Sequence, residues 1–247
     1  EVTAENVGMV RYQAAALVQK GELEEALSLY ASILQEYPES QGIAGEIARL
    51  SFELGRWSDV VEGVEVAIAG GEESFTLCRL AGNAACHLDD FDTAAKFYQK
   101  ALSYIPGNPA VTAALGHSYV ALGSYQEAIP LLSAVLNADA ENKPARLDRA
   151  VAESNLCLYE EAIADYTELF NQDPDNLSSL IALADLYERQ QNYDGMLAVY
   201  GEYLQVNPEN LSVFRKVASL YRMRGDYEEA LYEVDKALDF ASYSHIH

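Results

Sequence analysis

Apolar side chains of two sizes alternate along this chain with a period of 34 residues. Counted from Val7, the segments are 7–40, 41–74, 75–108, 109–142, 143–176, 177–210 and 211–244, with no insertion or deletion. The eighth position is small in every segment: Ala14, Ala48, Gly82, Gly116, Ala150, Ala184 and Ala218. The twentieth reads Ala26, Val60, Ala94, Ala128, Ala162, Met196 and Ala230, so it is small in five of seven. The seventeenth is always large: Leu23, Trp57, Phe91, Tyr125, Tyr159, Tyr193 and Tyr227. Small sites facing large ones let two helices approach and interdigitate. Turn residues fall between the apolar blocks. Gly21, Gly55, Gly123 and Gly225 at the fifteenth position suit a left-handed helix end. Pro38, Pro106, Pro174 and Pro208 at the thirty-second stop a second helix. Each segment therefore reads as helix A, a short turn, helix B and a Pro- or Asn-marked turn, giving fourteen helices. A lone hairpin of this kind cannot bury its apolar face, and stacked neighbours complete the core.

The pattern Gly116, Tyr119, Gly123, Tyr125, Ala128 and Val135 in the fourth segment resembles the tetratricopeptide repeat. So does Phe91, Ala94, Tyr98, Ala101 and Pro106 in the third. The resemblance covers residues 7–244, with 1–6 as a leader and 245–247 as a tail. His245 and His247 in that tail are of the kind an expression tag leaves. The resemblance implies one all-α domain of seven repeats, a right-handed superhelical α-solenoid with helices A lining a concave groove and helices B outside. Repeat two departs most: Ser51, Val60, Val64 and Glu72 replace the usual aromatic, Ala or Pro residues, and Gly70-Gly71 loosens its exit.

Half of the 247 residues are apolar, so the chain can bury a substantial core and is not low-complexity. It carries 16 Lys and Arg against 39 Asp and Glu, net −23. So acidic a body repels phosphate backbones and anionic bilayers, which argues against nucleic-acid binding. No apolar run approaches the ~20 residues that span a bilayer, and no secretory signal is visible. Cys78 and Cys86 are separated by roughly 12 Å along one helix, too far for a disulfide. Cys157 lies in another repeat. Reduced cysteines favour a cytoplasmic setting.

The charge is unevenly placed. The first fourteen positions of the seven repeats hold twelve basic and six acidic residues, a net of +6, leaving −29 for the remainder. Helices A are thus neutral to basic on an acidic body. The resemblance implies that positions two, five, nine, twelve and thirteen line the groove. The candidate partner-binding residues there are Arg11, Arg49, Arg79, Asn83, His87, His117, Arg215, Ser219 and Arg222. Arg79, Asn83 and His87 stand at i, i+4 and i+8 on one stripe. Arg79 and Asn83 look like the first basic–Asn pair of the carboxylate clamp in chaperone-binding relatives. Ala114, Pro144 and Asp148 break the rest of that clamp, so chaperone C-terminal tails are not expected.

Other chemistry-bearing residues read as packing. Arg149 stands where a core Leu is usual, with Asp165 in helix B. A charge turned toward a core needs a partner, so these two are expected to pair. The alternative is a ligand contact by Arg146 or Arg149. His87 and His117 could approach each other across a repeat interface near Cys86, but two His alone make a weak metal site. There is no phosphate-cradling loop, no His-Glu-x-x-His pair and no nucleophile elbow. No catalytic residue, metal or cofactor is therefore assigned. The expected function is a protein-interaction scaffold whose groove takes a protein or peptide segment with some negative charge. The alternative is a structural assembly module that self-associates, or docks on another domain, through uncapped terminal repeats.

Overall fold

The structure, a computed structural model, describes residues 2–174 and 176–243, with side chains up to Asp239; His245 and His247 lie outside the described residues. Among these residues there are fourteen α-helices and no strand. Helices A are α1 (Val7–Lys20), α3 (Ile43–Glu53), α5 (Phe75–His87), α7 (Pro109–Ala121), α9 (Lys143–Asn155), α11 (Leu177–Arg189) and α13 (Leu211–Arg224). Helices B are α2 (Leu23–Glu36), α4 (Trp57–Ala69), α6 (Phe91–Tyr104), α8 (Tyr125–Ala138), α10 (Tyr159–Gln172), α12 (Tyr193–Val206) and α14 (Tyr227–Tyr243). Every helix B starts on the large residue at position seventeen.

One backbone device makes the A-to-B turn in all seven repeats. The residue at position fifteen is left-handed, and the next N–H returns to the carbonyl five residues back, as in Glu22 to Leu17 and Asp226 to Tyr221. This satisfies a carbonyl that the helix end would otherwise orphan. Glycine fills the position in four repeats, while Asp89, Cys157 and Gln191 hold φ of 56°, 60° and 56°. A side chain in that region is crowded by its own backbone. Gln191→Gly should therefore stabilise the chain by up to about 1 kcal/mol, partly offset by the looser unfolded state. A denaturation midpoint that falls would show that Gln191 is held there by something other than the turn.

The B-to-A turn is closed by side chains. Ser74, Asn108, Asn142, Asn176 and Asn210 each accept a hydrogen bond from a first-turn N–H of the helix that follows. Such caps stabilise a helix by about 1 kcal/mol each. Repeat two does this differently. Gly42 is left-handed, α3 starts two positions later than the other helices A, and the Gly42 N–H is received by the carboxylate of Glu72. Glu72 thus ties the exit of repeat two to its own entry, and Gly71, with φ of 85°, ends α4.

The small eighth position is buried in every repeat. Its large counterpart differs from the expected one. A Cβ added at Gly82 would stand 2.6 Å from the Tyr98 ring, and one at Gly116 would stand 2.8 Å from Leu132. Both partners occupy position twenty-four, not seventeen. The reason is where the helices cross: position seventeen sits at the turn, and two helical turns are needed to reach the contact with helix A.

The chain forms two compact units, Glu1–Ala140 and Glu141–His247. In the first, α2 packs on α3, α4 on α5 and α6 on α7, and α3 also packs directly on α5. Its cores contain Ala14, Tyr30 and Ile33 around repeat one, and Val64, Tyr98 and Leu115 further along. In the second, α10 packs on α11 and α12 on α13, around Tyr166, Leu183 and Tyr200. No helix of the described residues is long and apolar enough to cross a membrane.

Candidate binding surface

In the first unit the candidate residues all lie on helices A. Arg11, Arg49, His87 and His117 are exposed, while Arg79 and Asn83 are half-buried. Their partners distinguish them. Arg49 is bonded to Glu46 one turn earlier on α3, at 2.9 Å. Arg11 and Arg79 have no ion-pair or hydrogen-bond partner among the described residues. The guanidinium of Arg11 lies over the left-handed Gly42, where a Cβ would meet its Nη2 at 3.1 Å.

Asn83 is positioned from inside. Tyr98, buried against Gly82, donates its phenolic hydrogen to Asn83 Oδ1 at 2.8 Å. Burial, with Cys86 beside the hydroxyl, pushes the Tyr98 pKa far above that of an ordinary tyrosine, so the group stays a donor. With Oδ1 occupied, the Asn83 amide NH2 is turned away from Tyr98.

The two histidines take different ring partners. His87 stacks on Trp57 of the preceding repeat, ring centroids 4.1 Å apart and planes 12° from parallel. His117 instead meets the edge of Phe91 at 5.9 Å. Cys86 lies near the hydroxyls of Tyr98 and Ser118, at 3.5 and 3.8 Å. Large position-seventeen aromatics at each turn give each imidazole its own ring.

A cleft of about 570 Å³ opens beside α1, lined by Arg11, Tyr12, Ala15, Gln19, Tyr30 and Glu46. Tyr12 is 82% exposed and absent from the sequence-derived set. The missed signal was a bare tyrosine next to the basic residue at position five.

In the second unit, Arg146 and Arg149 are taken up internally. Arg149 donates to both carboxylate oxygens of Asp165, at 2.7 and 2.8 Å, and Arg146 donates to one at 3.0 Å. The expected pair forms, and the alternative ligand role for these two arginines falls away. Glu153 joins the cluster 3.7 Å from Arg149. Burial and the nearby Asp165 push its carboxyl up to about 7, against the opposing pull of Arg149. Arg215 and Arg222 on α13 are exposed, with Ser219 between them half-buried. Neither arginine has a carboxylate partner among the described residues. Arg224 on the same helix is bonded to Asp226 at 2.6 Å and also to Asp194.

Family profiles described as tetratricopeptide repeat match residues 17–69 and 87–154, and again 181–245, more than half of the chain. No curated protein sequence matches significantly. Among solved structures, a tetratricopeptide protein called YrrB, described as having an unusual peptide-binding site, is similar at a TM-score of 0.61 and 18% identity. The match covers 74% of this chain and 95% of that one. A tetratricopeptide repeat protein from Parabacteroides merdae matches at 0.58 and 16%, covering 96% of this chain and 94% of its own. The MamA protein matches at 0.56 and 20%, over 70% of this chain and 94% of its own.

Proposed function

The chain belongs to the tetratricopeptide repeat family, and we propose that it is a protein-interaction scaffold without catalysis of its own, binding an acidic peptide or protein segment on its helices A. One observation carries this reading. On a body of net charge −23, Arg11 and Arg79 stand on helices A with no ion-pair or hydrogen-bond partner among the described residues. Such cations attract a carboxylate from elsewhere, and a guanidinium binds it in a bidentate fashion. Asn83, held by Tyr98, presents its amide NH2 one turn from Arg79. Arg49, His87 and His117 extend the same face, and Arg215, Ser219 and Arg222 occupy the matching positions in the second unit. That YrrB is described as a peptide-binding member of the same fold supports the class of ligand.

Arg79→Glu tests the proposal. A partner captured from native lysate by the wild-type chain should bind the variant about tenfold more weakly, near 1.4 kcal/mol. Its circular dichroism should not change. Added salt should weaken the wild-type complex, since exposed pairs are screened over about 10 Å. Glu127→Lys on α8, an exposed change on a helix B, should leave affinity nearly unchanged. If Glu127→Lys abolishes binding and Arg79→Glu is silent, the acidic helices B are the binding surface instead.

A further inference from the structure

A cleft of about 410 Å³ opens between α2 and α4 in the first unit. Leu27, Ala31 and Leu34 of α2 form one wall, Gly63 and Val66 of α4 the other, and Ser51 of α3 lies at the floor. Repeat two is small at two positions that other repeats fill. At positions eleven and twenty-three it carries Ser51 and Gly63. Every other repeat has a larger residue at one or both, such as Phe97 in repeat three and Tyr119 in repeat four. Tyr119 shows what occupies the equivalent space. Its hydroxyl accepts a hydrogen bond from Gln99 of α6. The residues at the same positions two repeats earlier are Ser51 and Ala31. Both line the cleft, which therefore stands where that ring would be. Ser51 is also unsatisfied. It is fully buried, and its Oγ has no hydrogen-bond partner among the described residues. Ser118 and Ser154 instead donate to the carbonyl four residues earlier, at 2.8 and 2.7 Å. A buried hydroxyl without a partner costs free energy until one arrives. Around the opening, Glu24, Asp59 and Glu62 outnumber Arg56, and all four are exposed.

We propose that this cleft takes a tyrosine side chain from an extended segment of another protein, with a Lys or Arg beside it. The ring fills the space that Tyr119 fills in repeat four. Entering from outside, it leads with its hydroxyl, which reaches the Ser51 Oγ and gives it a partner. The acidic rim selects the flanking cation. A volume of about 410 Å³ takes side chains but not a helix roughly 10 Å across. Past Leu34 and Val66 the cleft continues into a second of about 260 Å³, toward Pro38 and Gly70. A chain can follow that path, whereas a free aromatic amine would fill only its start. A second copy of this chain, at net −23, would bring acid to an acidic rim. The opening does not depend on what stands before α1. Hairpins join by packing a helix B on the next helix A, as α2 on α3 and α4 on α5. A hairpin stacked before α1 would pack on α1, which does not line the cleft. The site is independent of the helix-A face, whose arginines select the opposite charge.

The test uses the full chain and three labelled Gly/Ser peptides of about nine residues, roughly 30 Å when extended. The first has a central Tyr flanked by Lys, the second Phe for that Tyr, and the third Glu for the Lys. Fluorescence anisotropy should show the Tyr–Lys peptide binding, the Phe peptide about fivefold weaker and the Glu peptide roughly tenfold weaker or more. Ser51→Ala should erase the preference for Tyr over Phe. Ser51→Tyr refills the cleft from inside and should abolish binding. Ala31→Trp, on the exposed wall of α2, should abolish it too with unchanged circular dichroism, and decides the matter if Ser51→Tyr fails to fold. Arg79→Glu should leave binding unchanged. Several outcomes would overturn the proposal. They are no binding of the Tyr–Lys peptide, equal binding of all three peptides, or binding that survives Ala31→Trp or is lost in Arg79→Glu. Free tyramine binding as tightly as the peptide would make a small molecule the occupant. Concentration-dependent dimerisation in light scattering that Ala31→Trp removes would make it a second copy. Either result would also overturn the proposal.

Discussion

Replacing Asp165 by Leu should lower the unfolding free energy by about 3–5 kcal/mol, the range for leaving buried cations without their anion. Asp165 is 3% exposed and receives both Arg149 and Arg146 from α9. Its loss removes the carboxylate that both guanidiniums share in repeat five. Arg149→Leu alone should cost less, because Arg146 still answers Asp165. Adding Arg149→Leu to Asp165→Leu should recover only part of the loss, since Arg146 also loses its bond to Asp165. The triple change that also replaces Arg146 by Leu should recover more. Urea unfolding of these variants at neutral pH measures the series. Strictly additive effects would mean that the three side chains do not act as one network.

Glu153 should make stability fall as pH rises from about 4.5 toward 7. Burial beside Asp165 raises its carboxyl in the folded chain from the ordinary 4.5 to about 7. Across that window the folded chain therefore holds the proton that the unfolded chain has released. Its contribution is fully present below the unfolded value and is lost as pH passes through the folded one. The groups facing it are Arg149 on its own helix, and Asp165 and Glu161 on α10. One Glu153 oxygen has no hydrogen-bond partner among the described residues, which leaves the ionised form poorly satisfied. Glu153→Gln removes the titration. Relative to wild type, the variant should gain roughly 1–3 kcal/mol between pH 4.5 and 8, the span that a shift of this size allows after solvent screening. A difference between the two proteins that is flat with pH would show that Glu153 ionises as an ordinary carboxylate.

Both effects come from side chains that the sequence identified unequally. Arg149 and Asp165 were legible as a pair because a charge at a core register position demands a counter-charge. Arg146 and Glu153 lie on the same helix but gave no such signal, because their register does not say which way they turn. The candidate surface divides similarly. The basic bias of helices A was countable in advance. Which arginines remain available was not, since Arg49 is bonded to Glu46 and Arg224 to Asp194 and Asp226. Tyr12 escaped notice because the tyrosines at repeat-fixed positions, such as Tyr98, Tyr166 and Tyr200, are core.

The sequence by itself determined the hairpin. The period of 34, the start of each helix B at its large residue and the left-handed turn at position fifteen are local events repeated seven times. Each depends on residues within a few positions of one another, so one repeat explains the next. The tertiary structure decided what meets across helices. It set Gly82 and Gly116 against position twenty-four, because the crossing point depends on how far helix B runs before it touches helix A. It gave His87 and His117 different aromatic partners, because stacking brings each beside the turn of the preceding repeat.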